Sequence, residues 1–249
     1  MLVENRIAIV TGAASRRGLG RATALLLAQH GAKVALLDLR EGDSVDAAAT
    51  VGSDHIGIGC DVTDKAACQA AVETVLSAWG RIDILVNNAG IVEPNGVMDV
   101  APEDYDRVTD VNLRGTLYMS QAVIPTMRKQ GEGSIVNVSS VAGQRGGGVF
   151  GGAHYAAAKA GVLGLSKAMA RELAPDNVRV NAVCPGYIDT DIVVGRLSED
   201  RRAKIIEGIP MGRPGDAVDV AGVCVFLGCS LSAYVTGAVL DVNGGSHIH

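Results

Sequence analysis

Two side chains stand out for the chemistry their spacing allows. In "YAAAKAGVLGLSKAMARELA" (155–174), Tyr155 and Lys159 are four residues apart, and on a helix such residues share a face. A free phenol titrates near ~10. An adjacent ammonium favours the phenolate and is expected to draw that value toward working pH. A phenol so tuned can give a proton to a carbonyl oxygen as hydride arrives, or take one from an alcohol in reverse. The small residues between the pair let the helix pack closely. The bland alternative is a half-exposed Tyr and Lys on a surface helix. Against it stands the strand-like run just upstream, which ends in Ser139-Ser140. Ser140, immediately before "VAG", is read as the hydroxyl that orients the carbonyl, because alternation turns Ser139 to the other face.

A second constellation opens the chain. "RIAIVTG" runs into "AASRRGLGRATALLLAQHG", with Gly12, Gly18 and Gly20 at a strand-to-helix turn. Glycines there let the backbone approach a pyrophosphate, and the free N–H groups of the helix face the anion. Asp38, which ends the next apolar run 18 residues past Gly20, can accept hydrogen bonds from an adenosine ribose. The unit predicts dinucleotide binding. A carboxylate at that point repels a 2′-phosphate, so NAD(H) is expected over NADP(H). Arg16, Arg17 and Arg40 are the opposing consideration, as partners for a phosphate.

These groups need a frame. Seven short Val- and Ile-rich runs, at 6–12, 33–39, 55–62, 82–90, 133–140, 178–186 and 238–245, alternate with helical patterns near 18–30, 64–79, 103–130, 153–174 and 216–229. Strands apolar on both faces that alternate with helices imply right-handed βαβ units. The expected fold is α/β: a Rossmann-type, doubly wound parallel sheet of about seven strands with helices on both faces. It forms a single domain over 1–249. Only 189–215 leaves the rhythm, and it is read as a substrate lid. There Ile192, Val193, Val194, Ile205, Ile206, Ile209 and Met211 mix with Arg196, Arg201, Arg202 and Lys204. Arg145 and Phe150, in the loop before Tyr155, are candidates to line the substrate pocket.

Composition narrows the classes. Hydrophobic residues make up 48% of the 249 and charged residues 20%, enough for a full core, and the net charge of −5 argues against a nucleic-acid partner. No apolar run approaches the ~20 residues of a membrane span. The start, "MLVENRIAIV", does not read as a signal peptide. Five cysteines without a CxxC fit a reducing, cytoplasmic setting. The five histidines are scattered, and no metal site is expected.

Over essentially its whole length the chain resembles the short-chain dehydrogenase/reductase family. The motifs come in order: "TG…GLG" at 11–20, "CDVT" at 60–63, "NNAG" at 87–90, "VN" at 111–112, "IVNVSS" at 135–140, "YAAAK" at 155–159 and "PGYIDT" at 185–190. The resemblance implies a catalytic set of Asn112, Ser140, Tyr155 and Lys159. Asn112 would hold a water that links the lysine to solvent, and Lys159 would also bond the nicotinamide ribose. The implied cofactor contacts are Gly12, Ser15, Arg17, Gly18, Leu19 and Gly20 of the phosphate loop, Asp38 and Leu39, Asp61 and Val62 at the adenine, and Asn88, Ala89 and Gly90. Tyr155 and Lys159 join them, with Pro185, Gly186, Ile188 and Thr190 on the nicotinamide side. Two departures are plain: five residues rather than three separate the first two glycines, and 140–155 is longer and richer in glycine than is common.

The implied reaction moves a hydride between a nicotinamide cofactor and a ketone or secondary alcohol. The lid and C-terminal end look like the 3-oxoacyl-acyl-carrier-protein reductases of the family, and Arg128, Lys129 and Arg171 could meet an acidic carrier protein. Sugar-alcohol and other secondary-alcohol dehydrogenases share the layout, so the substrate stays open. A dinucleotide-sensing scaffold of the same fold is expected to lack the tyrosine or lysine. The resemblance, together with the almost wholly apolar helix at 153–174, implies a homo-oligomer, a tetramer.

Overall fold

The computed structural model describes residues 1–147, 150–191 and 197–248. Seven strands form one parallel sheet: β1 (Ile7–Thr11), β2 (Lys33–Asp38), β3 (Ile56–Gly59), β4 (Ile84–Asn87), β5 (Gly133–Val138), β6 (Val178–Pro185) and β7 (Val239–Val242), in the order β3-β2-β1-β4-β5-β6-β7. Every residue of β1 and β4 is buried, as expected of central strands covered on both faces. Alternation sends Ala8 and Val10 into one apolar cluster, and Ile7 and Ile9 into the other.

The first cluster lies under α1 (Leu19–Gln29), α2 (Glu41–Val51) and α9 (Ala217–Gly228). The second lies under α3 (Lys65–Trp79), α5 (Gly115–Gln130) and α7 (Ala153–Leu173). The strand order reverses between β1 and β4. Loops leaving their C-terminal ends diverge there, and the crevice of such a sheet opens at that point.

Four elements differ from the sequence expectation. α2 was not expected, because "EGDSVDAAATV" carries no clear apolar stripe. It forms by close approach of small residues: Ser44, Ala47 and Ala48 are buried, and Gly57 of β3 has no Cβ to strike the Ser44 backbone. The single helix expected over 103–130 is divided into α4 (Pro102–Thr109), a π-helical turn (Asp110–Arg114) and α5. A short helix, α6 (Val141–Arg145), follows β5. The 189–215 segment contains α8 (Glu199–Glu207), capped by the Ser198 hydroxyl, and Ile209 beyond it is buried. Ile192, Val193, Val194 and Arg196 lie outside the described residues. Among the described residues no helix is long and apolar enough to cross a membrane.

Candidate active site

The C-terminal ends of the strands open into one cavity of about 960 Å³. At its floor the glycine loop leaves β1. Gly12 has φ +64, a left-handed conformation costly for any residue with a Cβ, and an added Cβ would lie 2.8 Å from Ala89 Cα. A Cβ on Gly20 would meet the Gly12 carbonyl and lie 2.6 Å from Asn88 Nδ2. Asn88 ties the loop to the end of β4, donating from Nδ2 to the Thr11 and Gly12 carbonyls at 2.9 and 3.0 Å. The backbone N–H groups of Asn88 and Ala89 donate to Thr11 Oγ1 at 3.0 and 2.9 Å.

Asp38 closes β2 on the same side. Its Oδ2 accepts from the Ala14 N–H at 2.8 Å and its Oδ1 from the Leu39 N–H at 2.9 Å. Gly18, Leu19, Leu39, Asp61 and Val62 border the cavity beside it, and Asp61 Oδ1 accepts from the Thr63 amide and hydroxyl.

Of the residues expected at a cofactor, Arg17 and Gly20 do not line the cavity. Gly20 packs beneath the loop. Arg17 turns toward the segment after β6, where its Nη2 lies 3.3 Å from Asp189 Oδ2. Asp191 reaches back: its Oδ2 accepts from Ser15 Oγ at 2.6 Å and from the Arg17 N–H at 3.2 Å. These bonds hold the Asp191 carboxyl below its usual range, the Ser15 hydroxyl contributing most. The sequence reading did not single out Asp189 or Asp191. Two acids that bracket Thr190 opposite a two-arginine loop were the available signal.

The reactive side chains come from three elements. Ser140 caps α6, its Oγ accepting from the Ala142 N–H at 3.1 Å. Ser139, on the other face as alternation requires, donates from Oγ to the Lys159 carbonyl at 2.8 Å. Tyr155 and Lys159 lie one turn apart on α7, with Lys159 Nζ 5.9 Å from the phenol ring centroid. Lys159 is buried, and Nζ donates to the Val138 carbonyl at 2.9 Å.

The expected fall in the phenol's pKa does not occur in this arrangement. Burial raises it and the Ser140 hydroxyl pulls the other way, while one Lys159 donor goes to the Val138 carbonyl. Burial also lowers Lys159 to about 8, because little around it favours the charge.

Asn112 sits in the π-helical turn, fully buried, with Nδ2 donating to the Ile91 and Val108 carbonyls at 2.9 Å. Its Oδ1 has no hydrogen-bond partner among the described residues. A Cβ on Gly90 would lie 2.6 Å from that oxygen and 3.4 Å from Lys159 Nζ, so the glycine leaves space between them.

Pro185, Gly186, Ile188 and Thr190 form the facing wall. Gly186 donates to the Val242 carbonyl at 3.0 Å, and Ile188 bridges to Gly215. The far end is bordered by Arg145, Phe150, Tyr187, Lys204, Ile205 and Ile209. The Phe150 and Tyr187 rings stack with centroids 6.2 Å apart.

This cavity has the parts of a dehydrogenase site: a long cradle with a glycine floor, and beside it a hydroxyl, a phenol and a buried amine. Comparison with known proteins agrees. A family model described as Enoyl-(Acyl carrier protein) reductase matches residues 12–247. The chain is 54% identical to the uncharacterized short-chain type dehydrogenase/reductase y4mP of Sinorhizobium fredii, over the whole of both chains. It is 41% identical to the 3-oxoacyl-[acyl-carrier-protein] reductase FabG of Escherichia coli, again over the whole of both. Among solved structures, a 3-ketoacyl-(acyl-carrier-protein) reductase from Brucella melitensis complexed with NADH superposes with a TM-score of 0.91 at 36% identity, covering 99% of this chain and 100% of that one.

Proposed function

The chain belongs to the short-chain dehydrogenase/reductase family of nicotinamide-dependent oxidoreductases, and from that premise we propose that Tyr155 is the proton donor and acceptor for a ketone/secondary-alcohol pair. The observation that carries this reading is that Ser140, Tyr155 and Lys159 border one cavity with the glycine loop. The loop fits a dinucleotide: Gly12, Gly20 and Gly90 each leave out a Cβ that the backbone or a polar side chain would otherwise meet. Gly12, Ser15, Gly18 and Leu19 would hold the phosphates, Asp38, Leu39, Asp61 and Val62 the adenosine, and Ile188 and Thr190 the nicotinamide end. Bound there, the cofactor supplies or accepts the hydride.

The protein's part is positioning and proton transfer. Ser140 donates to the carbonyl oxygen and fixes its direction. Tyr155, kept protonated by burial, delivers its proton to that oxygen as negative charge develops. Lys159 stabilises the resulting phenolate. A water on Asn112 Oδ1 would then link the lysine to solvent, which gives the unpartnered oxygen a use. The segment from 189 to 215 acts as the lid, bringing Ile205 and Ile209 to the substrate end.

NAD(H) is the favoured coenzyme. The Asp38 carboxylate stands at the cavity, whereas Arg17 is paired with Asp189 and Arg40 with Asp43. A 2′-phosphate would therefore meet a carboxylate with those two arginines engaged elsewhere.

The relatives favour a 3-oxoacyl substrate as the second reading. Against docking of a carrier protein, Arg128 is drawn to Glu172 and Asp176 of its own chain at 3.1 and 2.7 Å. The scaffold reading ranks lower, because the full reactive set is present. A homotetramer is supported by exposed apolar side chains beside α4 (Val97, Met98, Tyr105) and around α9 (Val218, Leu231, Tyr234). Five free, buried cysteines support a cytoplasmic setting.

The test is oxidation of NADH and NADPH with a panel of ketones, and the reverse with secondary alcohols. Turnover on at least one pair supports the reading. Dinucleotide binding with no turnover on any member would favour the scaffold.

A further inference from the structure

The substrate end of the cavity is cationic, and its acids are spoken for. Arg107 borders the cavity, but Glu93 and Asp104 neutralise it. Asp110 pairs with Arg114 at 3.0 Å, and Asp191 is held by Ser15 and Arg17. Asp38 and Asp61 lie at the opposite, adenosine end, bonded to backbone amides.

Two cations remain. Lys204 of α8 and Arg145 of α6 line the cavity, and neither has an ion-pair partner among the described residues. Arg145 is exposed and oriented by one bond: Nη1 donates to the Ser246 carbonyl at 3.2 Å, and Ser246 is itself a wall residue. A guanidinium carries five donors in a fixed fork. That contact leaves most of them to be met, and an oxyanion is the group they match.

The fold also sets the range. Ser140 caps α6 and Arg145 is its last residue. At 1.5 Å per residue the two backbones are separated by roughly 7–8 Å along the helix. That is the scale of a short substrate, with its carbonyl at one end and a charged group at the other. The same cavity is lined by the stacked pair Phe150 and Tyr187, and the buried Tyr187 hydroxyl has no hydrogen-bond partner among the described residues.

We propose that Arg145 is a specificity residue that selects carbonyl substrates carrying an anionic group, a carboxylate or a phosphate, a few bonds from the reacting carbon. The proposal rests on the reductase reading above. It adds the recognition of charge at the end of the cavity away from the cofactor.

The experiment compares matched pairs on wild type and Arg145→Gln, each checked for folding by circular dichroism. One arm sets acetoacetate against its methyl ester. The other sets dihydroxyacetone phosphate, whose phosphate is three bonds from its carbonyl carbon, against dihydroxyacetone. In wild type the charged member of at least one pair should be favoured in kcat/KM by ~10-fold or more, and in the variant that ratio should fall by roughly 10–100-fold. A preference confined to the first arm identifies a small oxo acid, and one confined to the second a small phosphorylated ketone.

Equal use of charged and neutral members by wild type, or a ratio that survives Arg145→Gln, overturns the anion site and leaves the reductase reading intact. If no carbonyl turns over, the reductase reading fails. The anion site is then judged by calorimetric titration of acetoacetate: binding to wild type that is lost in the variant upholds it, and no binding to wild type refutes it.

Discussion

Lys159 Nζ stands 5.9 Å from the Tyr155 ring centroid and bonds the Val138 carbonyl at 2.9 Å. The amine is thus held one turn from the phenol, but by the sheet. Burial then acts on the two groups in opposite directions, raising the phenol and lowering the amine to about 8. Both shifts favour the neutral form.

A pH profile follows from this. Tyr155 stays protonated through neutral pH, so ketone reduction should not be limited by the acid there. Lys159 loses its proton above about 8, and with it the charge that stabilises the phenolate. The kcat/KM for reduction should therefore decline above that pH. In Lys159→Met the limb near 8 should be absent from whatever activity survives. A wild-type profile flat to pH 10 would contradict the assignment.

The same burial makes Lys159 a cost to the fold. Its folded value of about 8 lies below the 10.5 of a free lysine, so charging it in the native state opposes folding by about 3 kcal/mol below pH 8. Between about 8 and 10.5 the native group is already neutral while the unfolded one still binds a proton, so the penalty fades as pH rises. Cofactor-free Lys159→Met should melt higher than wild type at pH 7, by several degrees at ~2–4 °C per kcal/mol. The gap should narrow by pH 10. Calorimetry at the two pH values reads this directly.

Asp38→Ser should move coenzyme preference toward NADP(H), because the repulsion is gone while Arg16, in the glycine loop, remains. The measurement is kcat/KM for both coenzymes in both proteins. A wild type that already prefers NADP(H) would show that the arginines outweigh Asp38.

Gly20→Ala places a methyl group against the Gly12 carbonyl and 2.6 Å from Asn88 Nδ2. Neither is the free end of a flexible chain, so the loop must shift, at roughly 1–3 kcal/mol. Thermal stability should drop, and the coenzyme KM should rise far more than that of the ketone. Unchanged coenzyme KM would mean the loop does not need this close approach.

How far the sequence carried varied with the kind of signal. β1 and β4 were legible because both faces of a central strand are apolar, and α7 because its reactive pair sits at helical spacing. α2 was not, since it packs through Ser44, Ala47 and Ala48 rather than an apolar stripe. The π-helical turn that buries Asn112 leaves no mark in the pattern of 103–130. Arg17 shows the limit for charged side chains. Position in a longer glycine loop could not say whether it faces Asp38 or, as it does, Asp189. The phenol's pKa departs from the expectation for a related reason: spacing reports proximity, but the sign is set by burial.

A single-site measurement bears on the central claim most directly. Tyr155→Phe keeps the ring that lies beside Lys159 and removes only the hydroxyl. If Tyr155 transfers the proton, kcat for carbonyl reduction should fall by roughly 10²–10⁴-fold, while the dissociation constant for the reduced coenzyme, measured by fluorescence titration, stays near that of wild type. Turnover close to wild type in a variant that binds coenzyme normally would contradict the account.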